Sequence, residues 1–62
     1  MKIGDLIQDR DYPEDIAIII QNDKLRDNFY LFWLAGDTVG DTTRERAIDV
    51  EEDFDLLSST KK

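Results

Sequence analysis

Phe29-Tyr30-Leu31-Phe32-Trp33-Leu34 is the most apolar stretch of the chain, and how it is read decides the fold. Six residues are too few for a stable helix and suit a strand, and aromatic side chains favour a pleated, half-buried surface. Alternation then places Phe29, Leu31 and Trp33 on one face and Tyr30, Phe32 and Leu34 on the other. Neither face is polar, so the segment is expected at the centre of a sheet. Upstream, Ile16-Ala17-Ile18-Ile19-Ile20 is almost wholly β-branched and reads as a second strand. The polar residues 22–28 that separate the two are rich in Asn and Asp, which stabilise turns. Strands joined this closely pair antiparallel.

Ile3, Leu6 and Ile7 form a shorter apolar segment whose alternation slips at Gly4-Asp5, and a bulge or tight bend at the glycine repairs it. Residues 9–15 are polar and contain Pro13, which lacks a backbone donor, so they read as a surface loop. Residues 35–41, with Gly36 and Gly40, read as a turn or extended loop.

From Thr42 onward two readings compete. Thr42 and Glu45 have capping-box spacing, and Ala47, Val50, Phe54 and Leu57 recur at helical intervals, which predicts a helix over about 43–57. The rival takes Arg46-Ala47-Ile48-Asp49-Val50 as a strand, Glu51-Glu52-Asp53-Phe54 as a 3₁₀-like turn and Asp55-Leu56-Leu57 as a closing strand.

Composition narrows the function. Sixty-two residues make one domain, expected over 1–57 with a flexible polar tail over 58–62. The chain has neither Cys nor His, so disulfides and the usual zinc sites are closed to it. Fifteen Asp plus Glu against eight Lys plus Arg give a net charge of −7. Such a surface repels phosphate backbones and anionic lipids, so direct nucleic-acid or membrane binding is not expected, whereas a basic protein partner is compatible. The bland alternative is that the charge serves solubility alone. No signal-peptide core or membrane-length apolar run is present, and the expected location is cytoplasmic.

No catalytic constellation emerges. A nucleophilic serine needs a base held beside it, and Ser58 and Ser59 sit near the chain end with no histidine anywhere. The carboxylate pairs Asp9/Asp11 and Asp53/Asp55 arise readily in so acidic a chain. The acidic run over 49–55 lacks the glycine and terminal glutamate of a calcium loop, and no glycine-rich phosphate loop occurs. The expectation is a protein without enzymatic activity, cofactor or metal.

Taken together, Ile3-Gly4-Asp5-Leu6-Ile7, the Tyr12-Pro13 loop, the run over 16–20, Leu31-Phe32-Trp33 before Gly36-Asp37, and the ending Glu52-Asp53-Phe54-Asp55-Leu56-Leu57 resemble very small SH3-like β-barrels encoded by tailed bacteriophages. The sequence departs from that pattern in having Ile16-Ala17 where a glycine is usual, and no aromatic over 44–50. The resemblance implies an all-β antiparallel barrel of four or five strands, with Ile3, Leu6, Ile18, Ile20, Leu31, Trp33 and Leu56 as its core. The alternative is a three-stranded antiparallel sheet plus a C-terminal helix, an α+β fold.

By the same resemblance the protein is a phage-encoded interaction or structural accessory protein. A peptide-binding adaptor would use Tyr12, Asp11, Glu14 and Asp15 beside Trp33, since such grooves set aromatics next to acids. Tyr30 and Phe32 lie on the face turned away from the expected core. Either residues 37–47 fold across that face, or it stays open for self-association or a partner. A further possibility is an acidic mimic of DNA that occupies a DNA-binding protein of the host.

Overall fold

The computed structural model describes residues 1–59. Five strands and one short helix follow in the order β1 (Leu6–Asp9), β2 (Ile16–Asp23), β3 (Asn28–Ala35), β4 (Thr42–Arg46), α1 (Ala47–Asp53) and β5 (Phe54–Ser58). All pairings are antiparallel, and the strands lie side by side as β4-β3-β2-β1-β5. Phe29, Leu31 and Trp33 point into the core from β3, which is an interior strand as its two apolar faces require.

Ala17 lies opposite Trp33 in the β2–β3 register. The small residue leaves room for the indole, so Ala17 and Ile19 face inward and Ile16 and Ile18 outward. Trp33 Nε1 donates to Thr43 Oγ1 at 2.8 Å, which satisfies the buried indole N–H. The Trp33 and Phe54 rings stand 6.0 Å apart, centroid to centroid. Because β2 and β1 separate β3 from β5, that contact requires the sheet to curl strongly about its inner face. Bulges that shift the β2–β3 register at Ile16/Ala17 and at Ile19/Gln21 supply part of the bend.

The sheet nevertheless stays open. No ladder joins β4 to β5 among the described residues; α1 fills that gap, with Val50 fully buried against the core. The expected all-β, SH3-like barrel is therefore corrected to an α+β fold with an open five-stranded sheet. The phage origin inferred from that resemblance loses its basis with it. The three-strand-plus-helix alternative gave the right class but too few strands. Its helix was also too long, because Thr42 to Arg46 pair with β3 and Phe54 to Ser58 with β1.

The barrel core is corrected too. Leu31 and Trp33 are buried as expected, but Ile3, Ile20 and Leu56 are about half exposed, and Leu6 and Ile18 face outward half-buried. Ile7, Ala17, Ile19, Phe29, Val50 and Phe54 complete the actual core. Of the tail expected over 58–62, Ser58 belongs to β5, and residues 60–62 lie outside the described residues.

Two turns explain the glycines that matter. Asp5 N–H donates to Lys2 O at 3.1 Å, with Gly4 at φ 94°, which is the bend expected there. Its carboxylate, almost fully buried, accepts from Lys2 N–H at 2.8 Å and fastens the same turn. Gly36, at φ 99°, lies directly beneath the Asp15 side chain, so a Cβ would overlap the carboxylate and come within 3.0 Å of Asp15 Cα. Gly40 has a similar φ of 88° but open space around it.

Gly40→Ala is expected to cost about 1–2 kcal/mol from backbone strain alone, and Gly36→Ala at least about 3 kcal/mol because overpacking is added. Equal losses in urea melts would refute the Asp15 contact. Trp33→Ala should cost about 3–5 kcal/mol, and a loss below about 1 kcal/mol in the same assay would remove Trp33 from the centre of the core.

Candidate functional site

Period-two alternation turns Tyr30, Phe32 and Leu34 of β3 to the side opposite Trp33. The register sets Leu6, Ile18 and Phe32 in one row across β1, β2 and β3, ending at Thr42 of β4. The bulge after Ile19 leaves Ile20 without a partner residue on β3 and 45% exposed, and Leu34 is equally open. With Ile16 and Tyr30 this makes a continuous apolar surface on the convex side of the sheet.

Residues 37–47 do not cover it. Gly40 N–H donates to Trp33 O and Trp33 N–H to Asp41 O, at 2.8 and 2.9 Å, so the turn folds back along β3 and delivers β4 edge-on into the sheet.

The outer face differs from the rest of this acidic molecule in its charge. Arg44 and Arg46 on β4 are the only cations in any of the five strands, and both are exposed. The acids at outward strand positions are Asp23, at the hairpin end, and Asp55, on β5. Each is paired with an arginine: Asp23 with Arg26 at 3.4 Å and Asp55 with Arg10 at 3.0 Å. At its strand positions, this face of a −7 chain thus carries no uncompensated acid. Apolar and aromatic residues beside arginine, with acids depleted, are the composition of an interface centre.

The carboxylates gather elsewhere. Glu45 points inward from β4 opposite Phe29 and is half-buried. Its carboxyl is raised above the ordinary value of 4.5, first by desolvation and then by the charges of Asp49 and Asp53 around α1 and of Asp9 on β1. Among the described residues no acidic group has the arrangement to hold a metal ion. The pairs singled out in the sequence have structural work: Asp9 Oδ1 accepts the N–H groups of Asp11 and Tyr12 at 2.9 and 3.2 Å, and Asp55 holds Arg10.

The expected binding residues fall into two separate groups. Tyr12, Asp11, Glu14 and Asp15 lie in the β1–β2 loop, where Tyr12 O accepts from Asp15 N–H at 2.9 Å and Tyr12 is 60% exposed. Trp33 is buried and cannot line a groove with them, and no cavity opens among the described residues. Asp15 Oδ1 is buried over Gly36 without a hydrogen-bond partner. Tyr30 and Phe32 belong to the outer sheet face. Leu6, Ile18 and Ile20, assigned from sequence to the core, join them there; the signal for this was Ala17, the one small residue in an isoleucine run and the natural neighbour of a tryptophan.

No helix among the described residues is long and apolar enough to cross a membrane. Compared with protein-family models, with curated proteins and with solved structures, the chain matches none of them.

Because the folded state holds the Glu45 proton more tightly than the unfolded chain does, stability falls as pH rises from 4.5 through the raised value. The penalty is complete above that value and absent below 4.5. Glu45→Gln is therefore expected to melt at a higher temperature than wild type at pH 7, with the difference shrinking as pH falls through the raised value toward 4.5 and gone below it. A difference that does not change with pH would contradict this placement of the side chain.

Proposed function

We propose that the protein acts as a non-catalytic interaction module, binding another protein through the convex outer face of its sheet. The observation carrying this reading is the charge distribution on that face: it concentrates Tyr30, Phe32, Ile18 and Leu34 with Arg44 beside them, while the two acids at its strand positions, Asp23 and Asp55, are each paired with an arginine. If charge served solubility alone, this most apolar face would be the one to carry it. The partner surface that fits is apolar and carries no excess of basic residues.

A second reading has its own support. The crowding of Asp49 and Asp53 around Glu45 makes the α1 side strongly anionic, as the raised Glu45 proton affinity reflects. That side suits a basic partner, including a DNA-binding protein whose phosphate contacts the carboxylates would imitate. The β1–β2 loop residues Tyr12, Asp11 and Glu14 extend the polar, exposed surface and have no groove of their own.

One experiment separates the two. Immobilised wild-type protein, Phe32→Lys and the double variant Asp49→Asn/Asp53→Asn are exposed to a cell lysate. Phe32→Lys is expected to lose a protein that wild type and the double variant both retain, at a stability cost of only about 1 kcal/mol, since the side chain is already part exposed. Loss in the double variant alone selects the acidic surface, and retention unaffected by either change rejects both readings.

A further inference from the structure

The two outer strands protect their free edges unequally. β4 presents Thr42-Thr43-Arg44-Glu45-Arg46, whose charges oppose the addition of another strand. β5, Phe54-Asp55-Leu56-Leu57-Ser58, carries one charge and no proline or lysine, and its two leucines are 49% and 47% exposed. Such an edge is a template for strand addition.

Backbone phase identifies which groups are on offer. Arg10 N–H donates to Asp53 O at 2.9 Å, so the antiparallel alternation directs Asp53 and Asp55 toward β1 and turns the N–H and C=O groups of Phe54 and Leu56 outward. The Phe54 carbonyl already accepts from Arg10 Nη2, at 3.3 Å. At Leu56 neither group is bonded outside the ladder among the described residues.

We infer that β5 pairs with β5 of a second copy of this chain, antiparallel, about a two-fold axis at Leu56. The sequence of the strand is complementary to itself in that register. Leu56 meets Leu56 of the second copy as a doubly hydrogen-bonded pair and Asp55 lies opposite Leu57, while the bulge at Leu57 leaves Ser58 paired with Leu6 of β1 and confines the new ladder to the middle of the strand. Asp55 never faces its own copy, and both half-exposed leucines are covered. A register one residue away along the same axis type would centre on Asp55 and oppose two carboxylates, which is unfavourable across a strand pair. A five-residue edge buries less than a standard interface, so the dimer is weak and concentration-dependent. This inference rests on the edge of β5 and is independent of the proposed role of the outer face.

Sedimentation velocity up to about 1 mM, a range suited to weak association, tests it. Wild type is expected to dimerise with concentration. Leu56→Lys and Leu56→Glu, which place like charges on the axis, should each dimerise at least 10-fold more weakly, and an equimolar mixture of the two should recover association. In wild type, hydrogen exchange at the Leu56 amide should slow as concentration rises, a readout that needs no variant. A monomer at every concentration, dimerisation undiminished in both charged variants, or a dimer lost in Phe32→Lys and kept in Leu56→Lys would overturn the inference.

Discussion

The indole of Trp33, seated over Ala17 and tied to Thr43, fixes which residues of the neighbouring strands face inward. Once that ring is inside, alternation allows no further choice: Ile19 and Leu31 must follow it inward, and Ile18 and Phe32 must face away. A one-residue slip of β2 would put an isoleucine where only alanine leaves space. The tilt of Trp33 against Phe54 then draws β5 toward β3 across the inner face, and the curl of the sheet follows. In a chain of 62 residues with no disulfide this aromatic pair links the two halves of the core.

How much of this was legible in the sequence depends on whether the deciding force is local or not. The strands over 16–20 and 29–34, their antiparallel pairing, the bend at Gly4 and the Pro13 loop are written in β-branching, turn residues and short connections, and the structure has them. The inward set of β2 was misassigned, because five consecutive apolar residues carry no alternation; only the volume opposite Trp33 distinguishes the two faces. The region after Thr42 looked like a helix or a strand pair because it is both in turn. Thr42 to Arg46 are recruited by the β3 edge, Ala47 to Asp53 coil so that Val50 can fill the core, and Phe54 to Ser58 are recruited by β1. Helical spacing of Ala47, Val50 and Phe54 is real, but pairing across the sheet overrides it at both ends.

The candidate site was legible in part for the same reason. Tyr30 and Phe32 were marked as outward by simple alternation within β3, and the structure puts them on an open face. The rest of that face, from Leu6, Ile18 and Ile20, depended on the parity of β2 and on a bulge, neither of which a single strand reveals. The loop residues Tyr12, Asp11, Glu14 and Asp15 were singled out for a groove beside Trp33. That groove does not form, because Trp33 is turned into the core and its N–H is spent on Thr43.

Closing a sheet and capping it with a helix are competing ways to finish so small a core. The seven residues of α1 advance about 1.5 Å each, roughly 10 Å in all, a distance suited to bridging the gap in a curled sheet. Extended, the same residues would span more than twice that and overshoot the gap. The helix has no side-chain cap at Arg46 and one fully buried residue, Val50, so packing rather than propensity holds it. Coiling these residues brings Val50 under the sheet, where a closing β4–β5 ladder would have left a hole. It also leaves both terminal strands with a free side. On β4 that side is defended by Arg44, Glu45 and Arg46; on β5 the residues that would defend it are leucines. The open sheet, the buried Val50 and the unprotected β5 edge are thus consequences of one choice, made where the chain turns from strand to helix at Arg46.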